Sequence, residues 1–240
     1  MKEDSPSPLS QSMTHRKTML LYKYRSLIHF NKTLDIIQNE QLYCSEWSKL
    51  NDPMEGVFTY PLYADDMNEL EVRKALSNIR EEKKKLRVCS LSGVSDSMNA
   101  YLMWSHYGNE FRGVAFGYDF SNLPHIKAEE INYTKGFASL PKISPSSCDG
   151  HATDILLSKM ACWNYENEYR ILHTEKFLDV KEGLKKVIIG HRADPNYIEA
   201  IKTICSEKNI NVYITGCGEA GVSFDKLPDW DYATRSKKGH

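Results

Sequence analysis

Trp163-Asn-Tyr-Glu-Asn-Glu-Tyr-Arg-Ile-Leu172 places two acids, Glu166 and Glu168, two residues apart, directly ahead of an apolar, β-leaning run. On an extended strand, residues i and i+2 project from the same face. A strand through both acids therefore presents paired carboxylates from a support that the sheet holds rigid. Like charges that close raise each other's pKa or require a cationic partner. The pattern thus demands either a functional site or balancing bases, for which Lys159 and Arg170 are the nearest candidates in the chain.

The remaining segments predict one α+β domain. Strands are expected at 19–25, 41–45, 87–92, 113–118, 126–133, 186–190 and 212–215, with helices over 65–86, 97–107, 153–162 and 194–206. Thr33 reads as the N-cap of a helix carrying Leu34, Ile36 and Ile37. Asn51-Asp52-Pro53-Met54-Glu55-Gly56 is a turn, and 136–150 a loop. Strands and helices mix without strict βαβ alternation, which favours a single domain over 19–228 with a central mixed or split sheet flanked by helices. Residues 1–18, polar with Ser-Pro repeats, read as a disordered leader, and 229–240 as a flexible tail.

Composition narrows the function classes. The formal net charge is −1 across 240 residues, so no global field draws the chain to nucleic acid or acidic membranes. A nucleic-acid partner would need a local basic patch, for which Lys135, Lys142, Arg170, Lys185, Lys186 and Arg192 are candidates. Six cysteines lack any CxxC pair, which argues against a zinc cluster and a dense disulfide framework. Reduced thiols in a cytoplasmic protein are the simplest reading, and no apolar run is long enough to span a bilayer.

Chemistry-bearing residues recur in four segments. Tyr22, Tyr24 and Arg25 lie on the first strand, Ser90 and Ser92 end a later one, Trp104-Ser105-His106-Tyr107 follows, and Glu166-Asn167-Glu168 comes last. An arginine, a Ser-x-Ser and a Glu-x-Glu in that order suit a mono-ADP-ribosyltransferase using NAD. The guanidinium can fork onto the pyrophosphate, the hydroxyls can meet the ribose, and Trp104 or Tyr107 can stack on nicotinamide. A fixed carboxylate facing the oxocarbenium-like centre lowers the barrier electrostatically. Each residue also has a structural explanation: Arg25 as a strand-end ion pair, Ser90 and Ser92 as turn residues, Trp104 and Tyr107 as core, His106 as a hydrogen-bonded structural histidine.

Leu21-Tyr-Lys-Tyr-Arg25, Asn51-Asp-Pro-Met-Glu55, Trp104-Ser-His-Tyr107 with Gly113-Val114, and Tyr165-Glu-Asn-Glu-Tyr-Arg170 together resemble the bacterial family called domain of unknown function 2971, over about Leu20 to Gly190. That family in turn is distantly similar to the ADP-ribosyltransferase fold. The resemblance implies Glu168 as the catalytic glutamate and Glu166 as the group that orients or deprotonates the acceptor. It further implies Arg25 as the phosphate clamp, with Ser90 and Ser92 supporting the ribose. It also implies a role in toxin–antitoxin or phage-defence systems, with a protein or nucleic-acid acceptor and an antitoxin as partners. The gap between Ser92 and Glu166 is long, and Trp104-Ser-His-Tyr107 has no counterpart in the arginine-type enzymes. A variant in which Tyr22 or His106 replaces the arginine–serine pair is the alternative within that class. Outside it stand a metal-dependent hydrolase or nuclease built on Asp52, Glu55, Glu166 and Glu168, and a non-catalytic nucleotide-sensing module.

Overall fold

A computed structural model describes residues 19–60, 68–94, 100–140, 148–218 and 221–227. The predicted leader and tail, residues 1–18 and 229–240, lie outside these, as do Lys142 and the first residues of the helix expected from 97.

The first strand, β1 (Leu21–Arg25), alternates between two cores. Helix α1 (Phe30–Asn39) starts three residues before the expected Thr33 cap. Phe30 stacks on Tyr197 at 4.2 Å, which draws the first turn into the helix and leaves Thr33 buried inside it. Short strands β2 (Gln41–Tyr43), β3 (Ser45–Glu46) and β4 (Phe58–Thr59) follow. Helix α2 (Glu69–Lys85) opens with a capping box in which Asn68 and Glu71 satisfy each other's backbone N–H.

Strand β5 (Arg87–Ser92) and helix α3 (Ala100–His106) lead into β6 (Val114–Tyr118), all five residues of which are buried. The strand expected over 126–133 is instead two short pieces, β7 (Glu129–Glu130) and β8 (Asn132–Thr134), because Ile131 turns its N–H to the Glu168 carbonyl. The expected loop contains β9 (Ala138–Ser139). The helix expected over 153–162 is α4 (Cys148–Leu156), then β10 (Ser158–Met160) and a 3₁₀ segment over Ala161–Glu166. The last elements are β11 (Glu168–His173), β12 (Phe177–Asp179), β13 (Leu184–Ile189), α5 (Pro195–Glu207), β14 (Asn211–Gly218) and β15 (Gly221–Lys226). Asp194 caps α5 ahead of Pro195, so the helix expected from 194 starts one residue later.

The architecture is α+β, built on one mixed sheet in the order β15-β14-β13-β6-β1-β5-β11-β7, with β3 also pairing β5. Among the described residues, only the β13–β14 pair in this sheet is parallel. One face carries Leu21, Leu91, Phe116, Ile171 and Val187 in a core shared with Ile36, Ile37, Ile201 and Cys205 of α1 and α5. The other carries Tyr22, Tyr24, Ala115 and Ile188 against Met103 and Trp104 of α3. A third cluster joins α2 to α4 through Leu76, Ile79 and Ile155. No described helix is long and apolar enough to cross a membrane.

The chain enters β6 through a left-handed turn, with φ of 48°, 52° and 65° at Asn109, Glu110 and Phe111. Gly113 closes it. A Cβ at that position would stand 2.3 Å from the Arg25 carbonyl oxygen, so only glycine lets β6 pair with β1 there.

Candidate functional site

The central strands bring three of the expected positions into one row. Tyr22 of β1 is paired with Ser92 of β5, and Ser92 with Glu168 of β11. The row lies on the α3 side of the sheet, where a cavity of about 130 Å³ is lined by Tyr22, Tyr24, Asn51, Ser90, Ser92, Tyr107, Lys159, Glu166, Glu168 and Arg170, among others. That volume holds about four waters at roughly 30 Å³ each, less than the roughly 300–1,000 Å³ of an ordinary ligand pocket.

Glu166 and Glu168 do not share a strand. Glu166 ends the 3₁₀ segment, Asn167 takes a left-handed conformation at φ 43°, and β11 begins at Glu168. The reversal at Asn167 nevertheless aims both carboxylates at one cation. Lys159 Nζ lies 2.6 Å from Glu166 Oε2 and 2.9 Å from Glu168 Oε2. The same-face neighbour of Glu168 on the strand is Arg170, whose Nε donates to Glu168 Oε1 at 2.7 Å. Its terminal nitrogens fork onto Glu55 at 2.6 and 2.9 Å, and Nη1 also donates to the Leu156 carbonyl at 2.6 Å. All five charged groups are buried. Three carboxylates and two cations thus form one closed network, and the acidic pair is balanced by the two bases but is not solvent-facing.

Electrostatics follow from this packing. Burial alone would raise the Glu168 carboxyl, but the charges and hydrogen bonds of Arg170 and Lys159 outweigh it and hold the group down at about 2. Lys159 is likewise disfavoured as a cation by burial, and the two glutamates reverse that and raise its pKa. Tyr107 donates its hydroxyl to Glu166 Oε1 at 2.5 Å and accepts from Asn51 Nδ2 at 2.7 Å. Burial, then the Glu166 charge, pushes its ionisation far up, so Tyr107 is a fixed proton donor. Tyr133 receives the Glu168 backbone N–H at 2.8 Å, and burial raises its hydroxyl to about 12.

Several expected roles are redistributed. Arg25 lies apart from the cavity: alternation along β1 sends it to the opposite face from Tyr22 and Tyr24, into a second cavity beside α1. An Arg25–Glu168 pair across one cleft is not formed. Ser92 Oγ donates to the Glu166 carbonyl at 2.5 Å and accepts from the Val94 N–H at 3.1 Å, so it braces the turn behind the acids. Ser90 lines the cavity and its hydroxyl helps hold Glu168 ionised. Tyr24 lines the cavity too, its hydroxyl tied to the Val94 carbonyl at 2.7 Å. Trp104 is a core residue, stacked on Phe111 and edge-on to Tyr24. His106 is exposed and off the cavity lining, its ring 6.2 Å from that of Tyr107. Arg170, once a candidate for a basic surface patch, is buried.

The divalent-metal arrangement also lacks room, because the Lys159 ammonium already bridges Glu166 and Glu168. Among the described residues, no group of three or more His, Cys, Asp or Glu is arranged to hold a metal ion. The sequence pointed to Lys159 and Arg170 only as bases balancing the two acids, and to Asn51 only as a turn residue. Arg170 carries a local signal, its i+2 spacing from Glu168, whereas Glu55 and Asn51 reach the site through tertiary contacts alone.

No protein-family model, curated protein or solved structure matches this chain.

Proposed function

We propose that the chain is an NAD-dependent mono-ADP-ribosyltransferase acting on a protein or nucleic-acid acceptor, with Tyr22 rather than Arg25 as the working residue of β1. The observation that supports it is the row Tyr22–Ser92–Glu168 across three adjacent strands, open to one cavity and faced by Tyr107. In this reading the nicotinamide–ribose end of NAD enters between Tyr22 and Tyr107, and the remainder of the dinucleotide lies outside so small a cavity. The N-glycosidic bond breaks and its electron pair leaves with nicotinamide. Glu168, ionised at any physiological pH, faces the positive charge that develops at the sugar carbon. The acceptor attacks that carbon and its proton passes to Glu166. Glu168 exchanges a bond to Lys159 for one to the ribose as substrate enters, and Lys159 stays paired with Glu166. Assignment to a toxin or phage-defence effector rests on the family resemblance alone.

A second reading, a nucleotide-sensing module without turnover, is favoured by one observation: both oxygens of Glu168 are already committed to Lys159 and Arg170. Nicotinamide release from NAD, measured with and without cell lysate, separates the two. The transferase reading expects release and labelled acceptor, a fall of about 10²–10³ in Glu168→Gln, and undiminished release in Arg25→Gln. Binding of NAD without release supports the sensor. Absence of both binding and release overturns either reading.

A further inference from the structure

The second cavity, about 680 Å³, opens on the other face of the sheet, between β1, α1 and the small β2–β12 sheet. It falls within the usual size range of small-molecule sites. Arg25 stands at its wall. The Nε of Arg25 is buried without a hydrogen-bond partner, and no salt bridge reaches its guanidinium among the described residues; Asp35 acts on it only at longer range. Burial disfavours its charge, as the lowered pKa reflects. An unpaired cation so placed costs stability unless a counter-anion completes it.

The rest of the lining matches that need. Lys32 and Lys176 add two exposed cations against the single carboxylate of Asp35. Tyr43 and Phe177, partners across the β2–β12 pair, present exposed rings 5.9 Å apart at the rim. A guanidinium fork with two ammonium groups is phosphate-recognition chemistry. Exposed aromatic rings beside it suit the flat face of a base.

We propose that this cavity binds a small phosphate-bearing molecule with a planar ring, chemically a mononucleotide, with Arg25 gripping the phosphate and Phe177 and Tyr43 contacting the ring. The site is independent of the Glu168 cavity, since Arg25 and Tyr22 leave β1 from opposite faces.

Isothermal titration of the full chain with AMP, inorganic phosphate and adenosine tests it. AMP should bind more tightly than either phosphate or adenosine. Arg25→Gln should weaken AMP at least tenfold without lowering the melting temperature, because among the described residues its Nε has no hydrogen-bond partner and its guanidinium no salt bridge. Phe177→Ala should weaken AMP while leaving phosphate unchanged. Lys176→Gln, an exposed change, should weaken both, and it carries the test should Arg25→Gln not fold. Glu168→Gln should leave AMP affinity unaltered. Absence of AMP binding overturns the proposal. So does adenosine binding as tightly as AMP, or AMP binding lost in Glu168→Gln but retained in Arg25→Gln.

Discussion

At the scale of the residue, the left-handed Asn167 decides what the acidic pair can do. The single reversal at Asn167 lets one lysine serve both. Asparagine tolerates this conformation and a β-branched residue does not. Asn167→Val should therefore destabilise the protein by about 1–3 kcal/mol and disturb the Lys159 bridge. Asn167→Gly, compatible with φ 43°, should cost less than Asn167→Val. Chemical denaturation of the two variants measures the difference, and equal losses would mean that Asn167 matters for its side-chain contacts instead.

At the scale of the element, Arg170 joins parts of the chain that share no strand pairing. It ties β11 to the turn at Glu55, 115 residues away, and to the end of α4 at Leu156. That turn is pinned from behind by the buried Lys83 of α2, which donates to the Gly56 carbonyl and sits 4.0 Å over the Trp47 ring. Gly56 itself has φ of +70°, and a Cβ there would stand 2.9 Å from Lys83 Nζ. The turn therefore cannot drift, and Glu55 reaches Arg170 from a fixed position. Arg170→Met should cost about 3–5 kcal/mol, because it leaves two buried carboxylates short of a partner. Combining it with Glu55→Met should recover part of that loss, since an apolar pair replaces an orphaned acid. Denaturation of the single and double variants reads the coupling, and strictly additive losses would show that the two residues act separately.

At the scale of the molecule, the buried network makes stability depend on acid. The folded Glu168 carboxyl is depressed from 4.5 to about 2, so its contribution is complete above the unfolded value. It is lost as pH falls from about 4.5 towards 2, by about 3 kcal/mol for a shift of this size. Glu168→Gln should flatten this acid limb in thermal melts taken across that interval. An unchanged limb would place the acid sensitivity elsewhere. The segments 87–92, 113–118 and 194–206 were legible as elements because hydrophobic runs and caps are local properties. The second half of the helix expected over 153–162 was not: α4 ends at Leu156 and Lys159 lies on β10, whose parallel pairing with β8 is long-range. The candidate site was legible in its residue types, with Tyr22, Ser92 and Glu168 meeting in one row, while Arg25 went to another cavity through the two-residue alternation of its strand. What the chain determines by itself, then, is where charge and apolar periodicity demand strands, helices and balanced acids, since those depend on near neighbours. Which cations answer the acids, and which face each strand residue meets, was decided only by tertiary pairing, because burial sets the cost of a charge and burial belongs to the assembled sheet.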